Sequence, residues 1–180
     1  MHREEDILQF WFQELTPQQQ FQKDEVLDQT IATRFGATLQ AARQCELAPW
    51  RATPEGRLAE IIVLDQFSRN VHRDTAQAFA QDAQALTLAQ ELVASGQHHA
   101  LPAAQRAFAY MPYMHSESLV IHLHAMELFD QPGLENNLAF EIRHREIIER
   151  FGRYPHRNQV LGRVSTAEET AFLAQPGSSF

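Results

Sequence analysis

The sequence predicts an all-α protein, on three observations. Apolar residues recur at helical spacing in every segment with readable periodicity, and no stretch alternates apolar with polar residues over a strand's length. Two Thr-Pro pairs, Thr16-Pro17 and Thr53-Pro54, pair a capping hydroxyl with proline at the first helical position, where its missing N–H costs nothing. The periodic runs are separated by short turns such as Gln131-Pro132-Gly133. Antiparallel helical hairpins in chain order are the simplest architecture for such lengths and turns. At 180 residues the chain fits one domain, 1–180, with 175–180 expected as a frayed tail.

Ile7, Leu8, Trp11 and Phe12 set the inner stripe of a first helix. A second, opened by Thr16-Pro17, carries Val26, Leu27, Ile31 and Phe35, with Gly36 as a stop or kink. Thr53-Pro54 opens a third, in which Leu58, Ile61, Ile62, Val63, Leu64, Phe67 and Val71 surround the axis. A helix apolar all round is buried, so this one is expected at the centre. Within it Asp65 and Arg69 stand at i, i+4, the order that favours an ion pair.

After a break at 72–75 the spacing predicts a long alanine-rich helix with Phe79, Ala83, Leu86 and Val93 inward and Gly96 as its C-cap. Pro102 opens a short helix that Pro112 should break. His115-Ser116-Glu117 starts the next, with Leu119, Leu123, Met126 and Phe129 inward. From Asn136 a further helix aligns Phe140, His144, Ile147 and Phe151, which makes His144 a core histidine needing a hydrogen-bond partner. Ser165-x-x-Glu168 and Thr166-x-x-Glu169 are overlapping capping boxes for a last helix.

Composition narrows the function. The single cysteine, Cys45, excludes an intramolecular disulfide and a cysteine metal cage. The first residues are acidic and the purely apolar runs, such as 61–64, are far short of a membrane span, so a cytoplasmic protein with no membrane partner is expected. The net charge of −8 argues against nucleic acid, whose phosphates need neutralising. Yet residues 143–163 hold six arginines against two glutamates, a local +4 that leaves the remainder at −12. A basic island of that size suits a small local anion.

The island is densest in Phe151-Gly-Arg-Tyr-Pro-His-Arg-Asn158 and Leu161-Gly-Arg163. Together with Leu64-Asp-Gln-Phe-Ser-Arg-Asn70, Arg106-Ala-Phe-Ala-Tyr-Met-Pro112 and His115-Ser-Glu117, these motifs resemble the bacterial domain of unknown function 924 family. The likeness runs from Ile7 to Phe172, nearly the whole chain. It implies an all-helical fold like tetratricopeptide hairpin arrays, and it implies no activity. The chain departs from the family pattern at 118–122, where more acidic and amide residues are expected, and at His72 and Asp74.

Two readings of these residues stay open. In the first, Arg69, Arg106, Arg153, Arg157, Asn158 and Arg163 line a pocket that grips a carboxylate or phosphate with planar forks. His115, Glu117 and His156 are then the catalytic candidates, His115 as general base. In the second the chain is an interaction module presenting a concave surface to a peptide or protein. The arginines then pair with Asp65, Glu117 and other carboxylates, and Ser116 and Glu117 merely cap a helix. No cofactor is implied. No metal is expected either, since His122 and His124 diverge on a helix, and His115 and His122 stand about 10 Å apart along one.

Overall fold

Leu58, Ala59, Ile61, Ile62, Val63, Leu64 and Phe67 are wholly removed from solvent, as the sequence requires of a central helix. The structure is a computed structural model that describes residues 2–180, Met1 lying outside them, and it holds no strand among those residues. The central segment is one helical run of three parts: α3 (Pro54–Ile62), a π-helical turn (Val63–Phe67) and α4 (Ser68–Val71). Thr53 caps it as expected, its Oγ1 accepting the Gly56 N–H at 3.0 Å, with Pro54 in the first turn. The π turn was not legible in the sequence. Such turns are rare and favour functional positions, and this one contains Asp65.

The other helices wrap this axis. α1 (Glu4–Gln9), continued by a π turn over Phe10–Glu14, packs on α3. α2 (Glu25–Arg43) packs on the π turn and α4, burying Leu27, Ile31, Phe35, Thr38 and Leu39. α5 (Asp82–Ala94) and α6 (Ala103–Met114) each contact α3 and one another. α7 (Leu119–Phe129) packs between α6 and α8 (Glu135–Phe151), and the short α9 (Ala167–Leu173) closes on the turn around Pro155–Arg157. Each fully buried Leu, Ile or Phe contributes about 1.5–3 kcal/mol, so removing one from α3 costs as much as a typical point mutation can.

Several local expectations need correction. Thr16 and Gln19 exchange hydrogen bonds like a capping box, but only a turn follows. The glutamine run after Pro17 offers no apolar face, and Asp24 is the real N-cap, accepting from Val26 and Leu27. Gly36 neither stops nor shortens α2. The alanine-rich segment begins as a 3₁₀ turn over Ala76–Phe79, and its helix starts at Asp82 with Ala85, Leu88, Ala89 and Leu92 inward. Pro112 lies inside α6, which runs on to Met114 because every residue from Ala107 to Met114 is buried and packing holds the turn that proline weakens.

The inner faces of α7 and α8 are also rotated from expectation. His122, Ala125 and Phe129 face in on α7, leaving Leu123 51% exposed and Leu119 40%. On α8 the buried residues are Glu141, His144, Ile147 and Ile148, and Phe140 stands 53% exposed. The cause is one polar pair: His122 and Glu141 meet at the interface, and at 100° per residue that contact fixes the rotation of both helices. Residues 175–180, expected to fray, turn back at Gly177 (φ 77°), with Ser178 Oγ donating to the Leu173 carbonyl and the Phe180 ring against His144.

Candidate functional site

Fork donors and carboxylates alternate through the region where the π turn, α5, the 113–118 segment and the 152–165 segment meet. Arg69 places one nitrogen 3.1 Å from Asp65 Oδ1 and grips Asp82 with two, at 2.8 and 3.0 Å. The i, i+4 pair predicted at Asp65 and Arg69 is therefore real, with Asp65 1% exposed and Arg69 19%. Arg163 takes both oxygens of Glu117 at 2.7 and 2.9 Å and also reaches Asn158 Oδ1 and the Tyr154 carbonyl. Glu117 accepts the Tyr154 N–H at 2.7 Å as well. Arg153 takes both oxygens of Glu169 at 2.7 and 2.8 Å.

These pairs have a structural logic. Glu169 is the acid of the Thr166 capping box, and Arg153 and that box hold its carboxyl down at about 2. Glu117 ties the start of α7 to the loop after α8 instead of sitting over a helix dipole. Ser116 caps no helix: its Oγ accepts only from the Ser118 N–H. Arg153 and Arg163 are thus satisfied by bidentate partners, the arrangement that anchors elements. Arg106 is elsewhere, donating to the Leu101 carbonyl at the start of α6.

Arg157 differs. It is 5% exposed, with its guanidinium between the rings of Phe79 (4.5 Å) and Tyr154 (4.7 Å). It donates to the His115 carbonyl at 2.9 Å, but its nearest carboxylate oxygen, on Asp82, is 3.3 Å away and already held by Arg69. Its Nε is buried without a partner. Burial and the neighbouring Arg69 charge press its pKa below the ordinary arginine value.

Three histidines gather beside it. His115 Nδ1 lies 2.7 Å from Asp65 Oδ1. Burial would raise the Asp65 pKa, but its hydrogen-bonded contacts with His115, Arg69 and Gln66 outweigh it and hold the carboxyl far below its usual range. Burial, then Arg69, lower His115, which is therefore neutral at pH 7 with its proton on Nδ1 facing the carboxylate. Its Nε2 has no protein partner, and the side chain keeps 14% of its surface in contact with solvent. Burial, then the Arg157 charge, push His156 to about 4, and its Nδ1 is buried without a partner. His144, which donates from Nδ1 to the Phe140 carbonyl as a core histidine should, is pushed by burial to about 3.

Of the residues singled out in the sequence, then, Arg69, His115, His156 and Arg157 converge. Arg153, Asn158, Arg163 and Glu117 form an adjoining brace, and Arg106 stands apart. Sequence reasoning missed Asp82, Tyr154, Phe79 and the His122–Glu141 pair. Asp82 had one weak signal, a lone acid in an alanine-rich stretch. No group of three or more His, Cys, Asp or Glu among the described residues has geometry to hold a metal ion, and no described helix is long and apolar enough to cross a membrane.

An all-helical bundle braced by buried Arg–carboxylate pairs defines the class. The chain belongs to the bacterial proteins of unknown function DUF924, whose family description matches residues 7–177. A solved structure of a protein of unknown function, ATU0120 from Agrobacterium tumefaciens, is similar at 37% identity and a TM-score of 0.90, over 94% of this chain and 96% of that one. No protein of curated function matches the chain.

Proposed function

We propose that this protein binds a small ligand bearing a carboxylate or phosphate at Arg157 and sets it before His115 Nε2, which serves as proton acceptor. The observation that carries this reading is the 2.7 Å contact between His115 Nδ1 and the buried Asp65 carboxylate. A carboxylate on one ring nitrogen fixes the tautomer, leaves the other as a base and stabilises the imidazolium once it forms. Nothing in helix packing requires that second nitrogen to be left open. Arg157 supports the same reading, because a buried N–H without an acceptor costs about 1–3 kcal/mol that a ligand oxygen would recover.

The pattern of ion pairs also narrows the ligand set. Arg69, Arg153 and Arg163 each grip both oxygens of a carboxylate, whereas Arg157 reaches its one carboxylate, Asp82, through a single 3.3 Å contact. A rival reading, a helical interaction module, is favoured by the exposed apolar residues Val120 and Leu123 on α7, at 61% and 51%. The two separate in a thermal-shift titration with phosphate and acetate. Binding selective for the native state raises apparent stability by about 1.4 kcal/mol at tenfold excess over Kd. A rise in wild type that Arg157→Ala abolishes and His115→Gln leaves in place supports the anion site. A flat wild-type response removes it.

A further inference from the structure

We infer that Phe79 is the gate of the anion site, an inference that rests on the anion-binding reading above. Its ring covers one face of the Arg157 guanidinium and swings away when an anion pairs there. Arg157 is 5% exposed and its Nε is buried without an acceptor, so a ligand reaches that nitrogen only if a neighbour moves. Four groups contact the guanidinium, and three are fastened. Tyr154 is wholly buried, its hydroxyl donating to the Met114 carbonyl at 2.5 Å and its N–H to Glu117. The His115 carbonyl is main chain, and Asp82 is gripped twice by Arg69. Phe79 is the fourth. It is partly exposed and belongs to neither hydrophobic cluster of the bundle. Its ring lies instead against two guanidiniums, Arg157 at 4.5 Å and Arg69 at 5.4 Å.

The chemistry of that contact makes ring and anion competitors. The face of a phenyl ring is the negative side of its quadrupole, which attracts a guanidinium and repels a carboxylate or phosphate brought to the same cation. An anion paired with Arg157 also neutralises the charge that held the ring, so binding and opening reinforce one another. The segment carrying the ring is lightly held. From Asp74 to Gln81 its one buried side chain is Ala78. Its turn hydrogen bonds stay local, from Thr75 to His72, Ala78 to Thr75 and Ala80 to Gln77. Its side-chain ties to the rest of the bundle are Lys23 to Asp74 at 3.0 Å and Arg43 to Gln77 at 2.9 Å. Both ties lie in solvent, where such contacts contribute little.

The test titrates phosphate and acetate calorimetrically into wild type, Phe79→Ala and Arg157→Ala. It also follows hydrogen exchange of the 75–81 amides in saturating phosphate against chloride at matched ionic strength. Phe79→Ala binds both anions about tenfold more tightly than wild type, because no ring has to leave a desolvated guanidinium first. Arg157→Ala binds neither. In wild type, phosphate speeds exchange across 75–81, a result that does not depend on how well the alanine variant folds. Equal or weaker affinity in a folded Phe79→Ala, or exchange that phosphate leaves unchanged or slows, overturns the gate while wild-type binding leaves the anion site standing. If no protein binds either anion, both readings fall.

Discussion

Glu141 and His122 meet at 2.6 Å, and neither side chain touches solvent. His122 Nε2 is the donor to the Ser116 carbonyl at 2.8 Å, so the Glu141 contact at Nδ1 carries one further, shared proton. Burial raises the Glu141 pKa, which favours keeping that proton within the pair. Gln at 141 can still bond the ring, whereas Ala leaves an unpaired imidazole nitrogen beside a cavity. We expect Glu141→Gln to cost less than about 1.5 kcal/mol and Glu141→Ala about 3 kcal/mol or more in denaturant melts. Equal losses would mean that charge, not the hydrogen bond, holds α7 to α8.

Asp65 serves two partners at once, so its removal strands both. Asp65→Ala should cost about 3–5 kcal/mol, since Arg69 and His115 lose a fully buried acceptor. A loss below about 1 kcal/mol would place the pair in a far wetter environment than its burial indicates.

Arginines in one motif should respond differently. Arg163→Ala leaves Glu117 half-buried without its bidentate partner, at a cost of about 2–3 kcal/mol. Arg157→Ala leaves Asp82 in the double grip of Arg69 and should cost only about 1 kcal/mol. Matched melts of the two variants check the order, and a reversed order would make Arg157 the structural member of the set.

Stability should fall on mild acidification. His144 and His156 have folded values near 3 and 4, below the ordinary 6.5, so the unfolded chain binds protons first as the pH drops. Their contribution is complete above about 6.5 and is lost as pH falls towards the folded values, about 3 kcal/mol for His144 by pH 4. Glu141, being raised, acts in the opposite sense above 4.5. His144→Phe keeps the contacts with Tyr154 and Phe180, and should flatten the stability profile between pH 4 and 6.5. An unchanged profile would show that His144 is protonated in the native state.

The central helix was legible because Leu58 to Phe67 leave no polar side free, and burial then has no alternative. Thr53 and Thr166 were legible because a cap needs only neighbours in sequence. Asp65–Arg69 was found for the same reason. Glu117 was legible as a carboxylate partner for the arginines, but which arginine it takes, Arg163 across 46 residues, and the seat of Arg157 against Phe79 depend on where whole helices pack. The rotation of α7 failed for a related reason. Leu119 and Leu123 are the more apolar choice for an inner face, but a histidine whose partner lies on α8 overrode them.

The π turn at Val63–Phe67 inserts an extra residue into an otherwise α-helical axis. Deleting any one of those five residues would let the run close as a regular α-helix, with α3 and α4 keeping their direction and the widened turn around Asp65 lost. Ile61 and Ile62 would keep their neighbours, while the Asp65 carboxylate would lose its place between Arg69 and His115. Length variation at this point, more than any substitution, would therefore divide relatives that retain the scaffold from relatives that retain the polar centre.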